Sequence, residues 1–182
     1  MNQALLLIDI QKDYFPGGAM DLTGSALAGE KAGILLKAFR KKGLPVIHMQ
    51  HISTRPGATF FLPDTPGAQI HMNVTPAAGE ALFQKHFPNS FRGTPLLEHM
   101  QKYRFTDLVI AGMMTHMCVD TTVRAAFDLG FQCLLAHDAC ATKALSFGSA
   151  AVPPENVQAA FLAALHGTFA QVLSVEEICA GK

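Results

Sequence analysis

Five consecutive aliphatic residues, Ala4-Leu5-Leu6-Leu7-Ile8, end abruptly at Asp9. So short an unbroken apolar run reads as a central parallel strand covered on both faces, because a half-exposed strand would alternate with polar residues. The pattern recurs at 44–50 (LPVIHMQ), 107–111 (DLVIA), 131–136 (FQCLLA) and 169–173, with a further short strand predicted at 81–85. Longer stretches lie between these runs. Residues 25–42 carry Leu27, Ile34, Leu35, Ala38 and Phe39 at near-helical spacing and run into Gly43, which suits a helix C-cap. A second helix is predicted over 117–129, closing at Gly130, and a third over 155–165 after Pro153-Pro154. Strand–helix–strand alternation of this kind predicts an α/β fold of three layers, α/β/α. Its central sheet is mostly parallel, doubly wound and Rossmann-like. At 182 residues the chain has room for one domain, 1–182.

Composition removes several functions. Apolar residues make up 49% and charged residues 15%, enough for a sizeable core and too apolar for a disordered chain. Lys+Arg and Asp+Glu are 14 each, so the basic surplus of a nucleic-acid binder is missing. No apolar run approaches the roughly 18–20 residues that span a bilayer. The first residues lack the basic segment of a secretory signal. Cys118, Cys133, Cys140 and Cys179 form no C-x-x-C pair and read as reduced thiols, so a cytoplasmic location is expected. Gly17-Gly18 completes neither a phosphate nor a dinucleotide loop. His48 and His51 point to opposite faces of one strand, and the other histidines have no metal-ligand spacing.

Ligands of doubly wound sheets bind beyond the C-terminal ends of the strands, which directs attention to Asp9, His51 and the turn after Ala111. The Pro-, Gly- and Thr-rich stretch 53–76 is long for a connection and reads as a lid or binding loop. A carboxylate at the end of an aliphatic strand suits a general base or acid; capping the next loop is the plainer role. Cys118 falls just inside a predicted helix, where the dipole and free N–H groups favour a thiolate; the usual fate of a free cysteine is burial as a small apolar residue. Lys85, set among aromatics in FQKHF, calls for a nearby carboxylate or thiolate unless its ammonium reaches solvent. His116 is a rival to Asp9 as the base for Cys118.

Together these residues resemble the isochorismatase-like cysteine hydrolases, which include nicotinamidases and N-carbamoylsarcosine amidohydrolases. The resemblance rests on four segments in order: LLLIDIQKDYF at 5–15, VIHMQH at 46–51, KHFPNSF at 85–91 and GMMTHMCVDTTVR at 112–124. It implies a catalytic triad of Asp9, Lys85 and Cys118, and a cis peptide between Met113 and Met114. It also implies an oxyanion hole built from the N–H groups of Met114 and Cys118. Isochorismatases proper lack the nucleophilic cysteine, so Cys118 points instead to hydrolysis of a small amide, imide or carbamoyl compound through a thioester. Metal-binding nicotinamidases carry Asp-x-His after the second strand. Here the position reads Met49-Gln50-His51, leaving only His51 and His71, so neither metal nor other cofactor is expected. Gln11, Phe15, His51, Arg55, Phe91, His116 and Met117 are the expected substrate-binding residues, with Phe60, Phe61 and Met114 as further walls. The expected partner is a small-molecule substrate, with neither nucleic acid nor membrane, in a homodimer or homotetramer. A different class of reading keeps the fold and makes Cys118 an oxidisable thiol in a ligand-binding or sensing protein; an intact acid and lysine beside it argue for the hydrolase.

Overall fold

The computed structural model describes residues 2–181. Six parallel strands form the central sheet: β1 (Gln3–Ile8), β2 (Val46–His51), β3 (Ala81–Lys85), β4 (Asp107–Met113), β5 (Gln132–Ala141) and, last in the chain, β8 (Gln171–Leu173). Their order across the sheet is β3-β2-β1-β4-β5-β8. The chain builds outward from β1 to β3, returns to place β4 on the other side of β1, and builds outward again. The order reverses between β1 and β4, where a doubly wound sheet opens its binding crevice.

The helices are α1 (Ser25–Lys41), α2 (Leu96–Lys102), α3 (Asp120–Asp128), α4 (Pro154–Leu165) and α5 (Val175–Ala180). The pleat of β1 feeds two cores. Leu5 and Leu7 pack with Leu35 and Leu36 of α1 and Ile178 of α5. Ala4, Leu6 and Ile8 pack with Leu96 and Met100 of α2, Val123 and Ala126 of α3, and Leu165 of α4. These β1 residues are at most 2% exposed, and each fully buried leucine is worth about 1.5–3 kcal/mol.

The first strand and α1 lie where the sequence places them. Other boundaries move. The strand expected at 131–136 extends to Ala141, past a register shift opposite Ile110–Gly112. The strand expected from Leu44 begins at Val46, and that expected from Phe169 begins at Gln171. A two-stranded hairpin, β6 (Leu145–Phe147) and β7 (Ala150–Val152), was not expected, nor were the short helices α2 and α5. The predicted helix 117–129 is corrected at its start: α3 begins at Asp120, after a π-helical turn at Thr115–Val119. No helix among the described residues is long and apolar enough to cross a membrane.

Candidate active site

Asp9 follows the last residue of β1 with φ of 51°, a left-handed conformation that ends the strand and that aspartate tolerates better than most residues. Its N–H donates to Met49 O (3.1 Å), and its side chain is completely buried. Lys85 closes β3 in register with His51 of β2. Its side chain, also completely buried, crosses the end of β2 and sets Nζ 2.6 Å from Asp9 Oδ2. The ammonium also contacts His51 Nδ1 at 3.0 Å and donates to Phe87 O at 3.2 Å. No backbone N–H or hydroxyl reaches the Asp9 carboxylate.

Cys118 comes from the other side of the switch point. The π-helical turn that carries it is held by Met114 O, which accepts from Met117 N (3.0 Å) and Val119 N (3.2 Å), and by Thr115 Oγ1, which donates to Ala141 O. The Met113–Met114 peptide is cis. Gly112 makes the approach of β4 to β1 feasible: its φ is 151°, and a Cβ there would fall 2.1 Å from Ile8 O. Sγ of Cys118, a ring nitrogen of His51 and a carboxylate oxygen of Asp9 all lie within 4.8 Å of one another.

Electrostatics corrects one expectation. Burial pushes the Cys118 thiol up, the charge of Asp9 adds to this, and Lys85 only partly opposes it. Both effects favour the thiol over the thiolate a helix terminus would favour, because Cys118 sits buried in the π-turn beside a carboxylate. For Lys85, burial works against the charge, yet Asp9 and Cys118 outweigh it and hold the pKa above that of an ordinary lysine. His51 is pushed down to about 4, chiefly by burial and against the pull of Asp9. At neutral pH it is therefore uncharged, and Nδ1 accepts from the Lys85 ammonium.

Cys118 borders a cavity of ≈130 Å³. His51, Arg55, Met114 and Met117 line it, as does Phe60. Four other expected contacts lie elsewhere. Gln11 is fully buried and clamps the main chain of His51, accepting from its N–H (2.7 Å) and donating to its carbonyl (2.9 Å). Phe15 stacks on His71 at 3.6 Å, and Phe91 stacks on Phe131. His116 binds Thr142 Oγ1 through Nδ1, packs on Phe161 and is not among the residues that line the cavity. Each of the four is spent on positioning or packing. The sequence reading missed Tyr14, Ser53, Thr54, His86 and Pro88, which also line the cavity. Tyr14 had a detectable signal: a phenol has a polar tip on an apolar body, and it stands five residues after Asp9. Depressions of ≈480 and ≈700 Å³ elsewhere on the surface border none of Asp9, Lys85 and Cys118.

Segment 53–76 is tied down more firmly than a free lid. Phe61 and Val74 are fully buried, and Phe61 packs on Tyr14 at 4.5 Å. Phe61 N–H donates to Asp13 Oδ2 (2.6 Å), and Ser53 N–H to Phe61 O (2.8 Å). Thr54 and Arg55, which line the cavity, belong to an exposed run that continues through Gly57.

The residues present do not suit a metal. Among the described residues, Asp9, His51 and Cys118 are the one group with ligand spacing, but the Lys85 ammonium already lies against two of them. A cation there would meet that charge directly. Gln50 donates to Ala68 O, and His71 is occupied by Phe15 and by the N–H of Asn73.

Comparison with known proteins agrees with this architecture. The chain is 47% identical to the isochorismatase family protein YddQ of Bacillus subtilis (strain 168) over 176 residues, 97% of this chain and 98% of YddQ. A solved isochorismatase-like structure from Oleispira antarctica superposes with a TM-score of 0.96 at 48% identity, covering 99% of this chain and 97% of that one. Streptothricin hydrolase of Streptomyces noursei is 34% identical over 140 residues, 77% of this chain and 50% of that protein. The isochorismatase domain model matches residues 3–177, and the chain belongs to the isochorismatase family of hydrolases.

Proposed function

We propose that the protein is a metal-independent cysteine hydrolase that cleaves the C–N bond of a small amide, imide or carbamoyl compound through a thioester on Cys118. The observation that carries this reading is the fully buried Asp9–Lys85 pair at 2.6 Å, placed beside a cysteine that borders a cavity. Burying two charges is costly, and packing alone gives no reason to place them beside a thiol. Streptothricin hydrolase supports hydrolysis of a small molecule by this type of chain.

Each step of the proposed reaction uses a group that lies near Cys118. As Sγ attacks the substrate carbonyl, its proton passes to Asp9, the adjacent carboxylate, so no free thiolate has to accumulate. The N–H groups of Met114 and Cys118, at the two ends of one short turn on the cavity wall, are the proposed donors to the oxyanion. Asp9 then protonates the leaving nitrogen, the C–N bond breaks, and the acyl group remains on sulfur. Water attacks this thioester as Asp9 takes up its proton; the S–C bond breaks and the proton returns to Sγ. Lys85 remains an ammonium throughout, neutralising Asp9 when it is charged and keeping it oriented.

Release of ammonia or amine from a panel of small amides, imides and carbamoyl compounds tests the reading. Turnover should disappear in Cys118→Ala while circular dichroism is unchanged, and an acyl adduct on Cys118 should be trapped by rapid acid quench and mass spectrometry. Turnover that survives Cys118→Ala would refute the mechanism.

A further inference from the structure

The reaction cavity is lined by hydrogen-bond donors that the protein leaves unused. Among the described residues, the Arg55 guanidinium forms no ion pair and no side-chain hydrogen bond, and the hydroxyls of Tyr14, Ser53 and Thr54 bond to nothing. Tyr14 is only 2% exposed as a residue, but its hydroxyl is not sealed in the core and opens onto the cavity it lines. No aspartate or glutamate lines the cavity; of the two carboxylates behind it, Asp9 is matched by Lys85, and Asp13 accepts from the N–H groups of Ala19 and Phe61. The permanent charge on the lining itself is therefore positive, and Arg55 stands close enough for its charge to oppose protonation of His51. Its segment is anchored on both sides by the Ser53–Phe61 and Phe61–Asp13 hydrogen bonds.

We propose that the substrate carries a carboxylate a few bonds from its scissile carbonyl, and that Arg55, with the hydroxyls of Ser53 and Tyr14, receives that group. This rests on the hydrolase reading of Cys118 and narrows it to small amides of diacids or amino acids. A guanidinium offers paired donors to a carboxylate, and nearby hydroxyls complete its acceptor sites. A ≈130 Å³ cavity is small beside the roughly 300–1,000 Å³ of drug-sized pockets, which keeps the anionic group and the reacting carbonyl close together.

Two probes of nearly equal size separate charge from shape. Iodoacetate and iodoacetamide each alkylate a cysteine, forming an S–C bond with loss of iodide and of the thiol proton. Their rates at Cys118, followed by peptide mass mapping, give a ratio that reports anion recruitment without requiring turnover. Arg55→Gln should lower the iodoacetate-to-iodoacetamide ratio about 10- to 100-fold, and Arg55→Lys should retain part of it. In turnover, succinamate should be preferred to butyramide, with the preference reduced in Arg55→Gln. A ratio identical in wild type and Arg55→Gln would overturn the proposal. The two readings fail separately. A ratio that falls in Arg55→Gln with no amide hydrolysed keeps the anion site and removes the hydrolase, whereas Cys118-dependent hydrolysis with an unchanged ratio does the reverse.

Discussion

Removing either partner of the Asp9–Lys85 pair should destabilise the protein by unequal amounts. Both side chains are completely buried, so neither charge can turn to bulk water when its partner is lost. Lys85→Met leaves a carboxylate that accepts from no backbone N–H or hydroxyl, with the Cys118 thiol and, at 3.9 Å, Nδ1 of His51 as its remaining polar neighbours. Breaking a buried pair in this way costs about 3–5 kcal/mol. In Asp9→Asn the ammonium keeps two neutral acceptors, His51 Nδ1 at 3.0 Å and Phe87 O at 3.2 Å. The cost there should be smaller, about 1–3 kcal/mol. The double variant buries no unpaired charge and should be no less stable than Lys85→Met alone, giving a coupling energy of about 1–3 kcal/mol.

Urea unfolding of the four proteins at pH 7.5 measures this directly. With m-values of about 1–3 kcal/mol per molar, Lys85→Met should move the midpoint by about 1 M or more. Asp9→Asn costing as much as Lys85→Met, or two single effects that simply add, would show that the pair is not the isolated buried couple described here. All three variants should lose turnover, so stability rather than activity carries the information.

Three other outcomes follow from the structure. His51 is held down at about 4 against an ordinary value near 6.5, so the unfolded chain binds more protons between these values; the stability this provides is complete above pH 6.5 and falls by up to about 3 kcal/mol as the pH drops to 4. His51→Gln should flatten that part of the urea-midpoint profile. Glu80 is held down at about 2, first by its hydrogen bonds from Arg40, and it also accepts from Ala77 N and contacts His48 Nε2; Glu80→Gln should cost about 1–2 kcal/mol at pH 7 and progressively less as the pH falls below about 4.5, read by thermal unfolding. Gly112→Ala would drive a Cβ to 2.1 Å from Ile8 O at a φ unsuited to alanine, and should cost more than about 3 kcal/mol or abolish soluble expression.

The sheet was legible because its strands are buried on both faces. Covering β1 from two sides demands an unbroken apolar run, and Ala4–Ile8 supplies it; α1 declares itself by period and by its glycine stop. The hairpin β6–β7 gave no such signal, since it buries little and so imposes no pattern. At the site, Asp9, Lys85 and Cys118 draw attention singly because each residue type is expensive or reactive in an apolar setting, and the family resemblance is what joins them as a triad. The cavity wall could not be read in the same way. Gln11 and Arg55 look alike in sequence, as polar residues near strand ends. Gln11 is consumed by the main chain of His51 and by Ala68 O, 40 and 57 residues away in sequence, and Arg55 is left free, a difference that only the packed fold decides. The forces on the Cys118 proton are likewise only partly legible in sequence. A dipole argument needs only local sequence, whereas desolvation and the charge of Asp9 depend on the packed fold.

The sheet order also accounts for the choice of lysine. Lys85 and Asp9 stand at the ends of strands separated by β2, and neighbouring strands lie about 4.8 Å apart, so their main chains are about 10 Å from one another. An aspartate is too short to cover more than a fraction of that span, and its partner must supply the rest with a positive charge at the tip. The lysine stem does so within the apolar layer while presenting a compact charge with three donors, enough for Asp9, His51 and Phe87 O together. Arginine would bring a planar fork of five donors into a volume with three acceptors, leaving buried N–H groups unsatisfied. Histidine is shorter and, under the burial that lowers His51, would lose its charge at neutral pH. A long, permanently charged and compact side chain at the end of β3 is thus dictated by the same strand order that opens the crevice at β1 and β4.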